Sequence, residues 1–169
     1  MYKICKTIDY ESEGWKRYIE WRNIEIVEFE SLDSVMNESM FEPQEDDEWK
    51  FTLSTECFLT SIVTDLEFAK KYAVEHGANT ILSFDYIENE DPAKTVIGYD
   101  ILDGDFMYSL LTNFGNDIDI VNRHLANNGL IKEKNHALMV YHWFIANMPE
   151  DPHVIGSRIF AVYNRISPT

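Results

Sequence analysis

Cysteine, glycine and basic residues are all scarce in this 169-residue chain: two Cys, seven Gly, and 14 Lys and Arg against 30 Asp and Glu. Cys5 and Cys57 have neither the paired spacing of a zinc site nor a C-x-x-C redox motif. A bridge between them would need an oxidising compartment, and the opening run Met1-Tyr2-Lys3-Ile4-Cys5-Lys6 has no signal-peptide apolar core. The expectation is a cytoplasmic protein with both thiols reduced. Phosphate-cradling loops need glycine so that backbone amides can reach the ligand, and neither G-x-G-x-x-G nor G-x-x-x-x-G-K-[ST] occurs. Gly156-Ser157 lacks the second glycine of a nucleophile elbow, and H-E-x-x-H and the deaminase-type pair of motifs are missing. Nucleotide-dependent enzymes and the common hydrolases therefore fall out of the leading candidates, and no cofactor is expected. The longest mostly apolar stretch, 137–146, contains His142 and falls far short of the ~20 residues that a spanning helix needs.

The shortage of bases leaves a formal net charge of -16. A surface of that sign repels phosphate backbones and anionic headgroups, so neither nucleic acid nor a membrane is an expected partner. It attracts and steers basic proteins, and it also serves solubility alone. What the chain has in quantity is apolar and aromatic residues, 45% and 14% of the total, which separates it from disordered acidic tails. A chain of this length removes roughly 70% of its unfolded surface from water, enough for one core without disulfides or metal. We read residues 1–169 as a single domain.

The clearest helix spans 64–76. Thr64-Asp65-Leu66-Glu67 reads as a capping box, Leu66, Ala69, Tyr72 and Ala73 form a stripe, Glu67 faces Lys71, and Gly77 suits a left-handed stop. Strands are expected over 57–63, 80–87 and 95–101, with a turn at 89–92. Asn116 opens a helix with Ile118, Val121 and Leu125 that ends near Asn128-Gly129. A further helix begins at Asn135, is stopped by Pro149 and Pro152, and is apolar nearly all round, so it should be well buried, with His142 in the core. Apolar residues on both faces of 159–163 mark 154–166 as a centrally placed strand. Near the start, 2–8 reads as a strand, Trp15, Tyr18 and Ile19 as a short helix, 24–30 as a strand with a bulge, and 31–37 as a short helix. Strands and helices interleave without a βαβ rhythm. The fold class is α+β, with a mixed or mostly antiparallel sheet packed with about three to five helices.

Two acidic segments are candidates for function. Asp100-Ile101-Leu102-Asp103-Gly104-Asp105 resembles a calcium loop at first sight, but its third position is Leu102 and its twelfth is Leu111, so we read a solvated Asp103-Gly104 turn joining two strands. The alternative is an enzyme using Asp100, Asp103 and Asp105. His136 and His142, six apart, do not share a helical face, and Cys57 in its apolar strand reads as a buried thiol. The second segment runs from Phe41 to Trp49 and places Glu42, Glu45, Asp46, Asp47 and Glu48 in seven positions around Pro43. It is either a solvated connector or a docking edge, with carboxylates that steer a basic partner and Trp49 as an aromatic anchor.

Three sets of residues carry a resemblance: Ser31-Leu32-Asp33 leading to Phe41-Glu42-Pro43 and Asp47-Glu48-Trp49; Gly98-Tyr99-Asp100 leading to Ser109-Leu110-Leu111-Thr112-Asn113; and Asp151-Pro152-His153-Val154 leading to Ala161-Val162-Tyr163. In these the chain resembles small acidic bacterial proteins of the toxin-immunity type. The resemblance implies an α+β binding protein that blocks one cognate toxin by occlusion, with no catalytic residues. The turn at 100–105 yields a first prediction. Calcium or magnesium should leave the melting temperature unchanged, whereas a specific site would add about 2.7 kcal/mol of stability at a hundredfold excess over Kd. A saturable rise with either ion would overturn the reading.

Overall fold

The computed structural model describes residues 1–34, 60–114 and 117–169. Among the described residues there are five strands, β1 (Tyr2–Cys5), β2 (Ile62–Val63), β3 (Thr80–Tyr86), β4 (Val96–Leu102) and β5 (Arg158–Ile166). There are also five α-helices, α1 (Glu13–Arg22), α2 (Leu66–Glu75), α3 (Leu110–Asn113), α4 (Asp119–His124) and α5 (Lys134–Asn147). The strands form one antiparallel sheet in the order β2-β1-β3-β5-β4, so β5 is interior, as its two apolar faces require. The chain is a single-domain α+β protein. Among the described residues no helix is long and apolar enough to cross a membrane.

Cross-strand partners point to the same side of a sheet, so the register assigns each residue to a face. Tyr99, Ile101, Ile159, Ala161 and Tyr163 lie on one face and meet α3, α4 and α5 through Leu110, Val121, Ala137, Val140 and Phe144. Ile4, Val63 and Ile81 meet Phe68, Ala69, Tyr72 and Ala73 of α2. The opposite face carries Cys5, Leu82, Phe84, Phe160 and Val162 and is covered by Leu32, Leu130 and Phe106 from loops. Lys3 pairs with Leu82 and Asp100 with Phe160, which places both charged side chains on this second face. α1 adds a smaller cluster in which Trp15 packs edge-on against Phe29 and Tyr10, with Ile26 beside them. Arg22, also buried, reaches Asn122 of α4 through Nη1, while its Nε and Nη2 have no hydrogen-bond partner among the described residues.

Several local expectations need correction. α2 is capped by Asp65, whose carboxylate accepts the Phe68 amide at 2.6 Å, and not by Thr64. Its buried stripe uses Phe68 where Leu66 was expected, and Glu67 pairs with Lys70 instead of Lys71. Residues 24–30 are not a strand. Val27 and Glu30 donate singly to the carbonyls of Asn127 and Asn128, and Phe29 to the Tyr10 hydroxyl, so no ladder forms although Ile26 and Phe29 point inward. Residues 31–34 are not helical either, because the Leu32 and Ser34 amides donate to Asp100 and to the Met107 carbonyl and the Asp33 amide to the Ser31 hydroxyl. Within 57–63 only Ile62 and Val63 are strand among the described residues, preceded by Ser61 at a positive φ of 53°. The short helix α3 had no clear periodic signal. α5 is not buried all round: Ala137, Val140 and Phe144 face the core, while Met139, Ile145 and His142 lie outward. Uncharged residues on its solvent side produced the misleading pattern.

The outer edge of β4 is closed by a loop. Tyr99 and Ile131 exchange both backbone hydrogen bonds, at 2.8 and 3.0 Å, and so satisfy an edge that would otherwise invite another strand. Gly98 permits this approach, because a Cβ there would stand 2.7 Å from Leu130 Cβ and 3.2 Å from the Ile131 carbonyl. Gly98→Ala should therefore cost about 1–3 kcal/mol, as overpacking does, in urea unfolding. Stability equal to the parent would show that the loop yields freely.

Candidate functional site

The face that carries Lys3 and Asp100 has to bury a cation and an anion on strands β1 and β4. Three inter-strand spacings of about 4.8 Å each separate them. The segment 31–34 bridges that gap. At its start, Ser31 Oγ and the Leu32 amide donate to Asp100 Oδ2 at 2.8 and 2.7 Å. Asp100 Oδ1 takes the Ile101 amide at 2.8 Å and the Ser109 hydroxyl. In the middle, Asp33 Oδ2 accepts the Ser109 amide at 2.7 Å, Asn113 Nδ2 at 2.6 Å and Thr112 Oγ1 at 3.2 Å. At its end, Lys3 Nζ donates to Ser34 Oγ at 2.6 Å and to the Thr60 carbonyl. All these groups except Asn113 are buried.

Burial pulls Lys3 down to about 8, opposed by Cys5 once its thiol ionises and by the carboxylates of Asp33 and Asp100. Burial likewise pushes the Asp100 carboxyl above the ordinary range, against the pull of its four donors. Two of the resemblance segments, Ser31-Leu32-Asp33 and Gly98-Tyr99-Asp100 with Ser109 to Asn113, thus meet in one buried network. No described cavity opens onto it, and every carboxylate oxygen named here is engaged in holding backbone or hydroxyl groups. Its chemistry is structural: it fixes the chain that crosses the sheet.

The carboxylates at 100–105 do not form a cluster. Asp100 faces the network. Asp103, also buried, accepts the Met107 and Tyr108 amides through Oδ1 at 2.9 and 3.2 Å. Asp105 is exposed. The turn exists, with the Phe106 amide bonded to the Asp103 carbonyl, but it leads from β4 through a single Leu102–Ser109 bridge into α3 and joins no second strand. It is also far less solvated than expected at Asp100 and Asp103. Asp103 Oδ2 lies 3.4 Å from His153 Nδ1, and Tyr108 packs edge-on to that imidazole with centroids 4.9 Å apart. This carboxylate–imidazole pair, from Asp103 and the segment Asp151-Pro152-His153, could orient a proton-transfer group. Among the described residues no hydroxyl or thiol is hydrogen-bonded to the ring.

No family model, curated protein or solved structure matches this chain.

Glu42, Glu45, Asp46, Asp47, Glu48 and Trp49 lie outside the described residues, as does Cys57. Among the described residues no group of three or more His, Cys, Asp or Glu is placed to hold a metal ion. His136 stacks with His124 of α4, ring centroids 4.2 Å apart, and burial together with His136 and Arg123 lowers the His124 pKa. His142 is exposed on α5, contrary to the core position expected for it. A hollow of about 180 Å³ between Cys5, Tyr10, Phe29 and Arg165 is poorly equipped for chemistry. Burial raises the Cys5 thiol to about 11, and Arg165 is bound to Glu28 and Glu30. A wider groove of about 380 Å³ runs along α1, lined by Tyr10, Trp15, Ile19, Glu20, Glu25 and Ile26. Lys16, also beside it, is tied to Glu11 at 2.8 Å.

Sequence reasoning passed over Lys3, Asp33, Ser34 and this groove. A signal for the network was present: Ser31-Leu32-Asp33-Ser34 sets three short hydrogen-bonding side chains around one leucine, a composition that favours local polar bonding over helix.

The network yields a prediction for Lys3→Met. The methionine removes the ammonium's bonds to the Ser34 hydroxyl and the Thr60 carbonyl, at a cost of about 1–3 kcal/mol. The pH signature is specific. A folded pKa of about 8 lies below the unfolded 10.5, so above pH 8 the unfolded chain holds a proton that the folded chain has shed. Stability then rises with pH. Cys5, raised to about 11, opposes this from pH 9, its unfolded value, upward. Denaturant unfolding of the parent should show stability rising between pH 8 and 9, and the variant should lose that rise. A parent curve that is flat or falling there would refute the assignment.

Proposed function

We propose that this protein is a binding module, an immunity-type inhibitor that neutralises a basic bacterial toxin by stoichiometric occlusion in the cytoplasm. The observation that carries this reading is how the acidic charge is used. Asp33, Asp100 and Asp103 are consumed in holding the fold, while the excess that makes the net charge -16 is left to the remaining carboxylates. A surface of one sign steers and orients a partner of the other, and occlusion needs no reacting group. The segments in which the chain resembles immunity-type proteins support the same reading. Glu42, Glu45, Asp46, Asp47 and Glu48 are proposed as the steering edge, with Trp49 as anchor.

One observation favours the alternative, an enzyme using surface carboxylates: the contact between Asp103 and the half-exposed His153. An imidazole held by a buried carboxylate is a common device of general acid–base catalysis.

The test is a titration against a basic toxin domain, sought among the products of genes neighbouring this chain's own. A 1:1 complex should form and suppress that domain's toxic activity. Glu45→Lys with Asp46→Lys should chiefly slow association and weaken its salt dependence. Trp49→Ala should speed dissociation by an amount corresponding to about 2 kcal/mol or more if it anchors the contact. Melting temperatures measured in parallel separate lost binding from lost folding. Full toxic activity in the presence of saturating parent protein would overturn the proposal.

A further inference from the structure

The groove along α1 combines an apolar floor with unneutralised negative charge. Trp15 and Ile26 are buried, Ile19 is half-buried, and Tyr10 stands as a wall, packed edge-on to Trp15 with centroids 5.0 Å apart. Glu20 and Glu25 border this floor, both exposed and without an ion-pair partner among the described residues. The one base in the lining, Lys16, is already paired with Glu11. Glu20 also sits in the last turn of α1, whose C-cap is Asn23 in the left-handed conformation. That end of a helix carries the negative pole of its dipole, so a carboxylate there is disfavoured and a cation is stabilised. Helix stability alone would select Lys or Arg at position 20. The volume, about 380 Å³, is at the small end of the range of ligand clefts.

From this pairing of an aromatic floor with two unpaired carboxylates at a helix C-terminus, we propose that the groove receives a lysine or arginine side chain presented by a basic protein partner. The methylene stem of such a side chain covers apolar surface while its head remains polar, which matches a floor of Trp15, Ile19 and Ile26 and a rim of Glu20 and Glu25. The aromatic rings add attraction for the cation. The inference rests on the basic-partner reading above and deepens it by naming a contact point separate from the 42–49 segment.

The experiment is an NMR titration of the full chain with the capped tripeptide Gly-Lys-Gly and its twin containing uncharged norleucine, in the parent and in Glu20→Gln/Glu25→Gln. The lysine peptide should shift the Trp15 indole and the Ile19 and Ile26 methyl signals. Norleucine should bind more weakly, and the double variant should lose about threefold to tenfold in affinity, the range of one or two modest exposed ion pairs. Equal shifts from norleucine, or lysine-induced shifts confined to another surface, would overturn the groove assignment. A cognate complex that forms with unchanged affinity in the double variant would also refute the groove while leaving the basic-partner reading in place. If no basic domain binds at all, that reading falls by its own test, and the peptide titration still decides whether the groove takes a cation.

Discussion

The segment from Ser31 to Ser34 crosses a closed sheet face where no water can satisfy its polar groups, and the surrounding structure is arranged to meet that demand. Asp100 on β4 takes the start of the crossing, α3 offers amide and side-chain donors to Asp33 in the middle, and Lys3 on β1 takes the end. Leu32, between these polar residues, contributes to the apolar cluster of the same face. An isolated charge buried without partners costs far more than a single domain can tolerate, so none of these residues has meaning alone. The short side chains of Ser and Asp follow from the same constraint: a segment lying flat on a sheet leaves room for a hydroxyl or a carboxyl and little more.

The network also engages two of the carboxylates in holding the chain, and a third holds the turn after β4. Asp100 receives four donors and Asp33 three, and Asp103 spends one oxygen on two turn amides. The negative charge that remains free is at the surface, where it acts at longer range through the field it sets up.

Edge protection follows a related logic. β4 presents backbone groups on the side away from β5, and the loop at 130–131 closes that side through a paired exchange with Tyr99. A missing side chain at Gly98 makes the approach possible, so one glycine out of seven is tied to sheet topology.

Composition and periodicity determined the fold class, the strands at 80–86 and 96–102, the interior position of β5 and the helices α2 and α5. These features depend on period-two or period-3.6 patterning that burial imposes directly on the sequence. The errors share a cause. Residues 24–30 alternate like a strand because Ile26 and Phe29 are inward, yet their hydrogen bonds go to a loop a hundred residues away. α5 looks buried on every side because its outward residues are uncharged, and only its packing against β4 and β5 shows which side is free. Asp100 looks like a surface turn residue because local sequence carries no information about what covers it. The tertiary structure alone decided that Lys3, Asp33 and Asp100 share one buried network and that α1 carries a groove, because both depend on long-range contacts for which a linear pattern has no period.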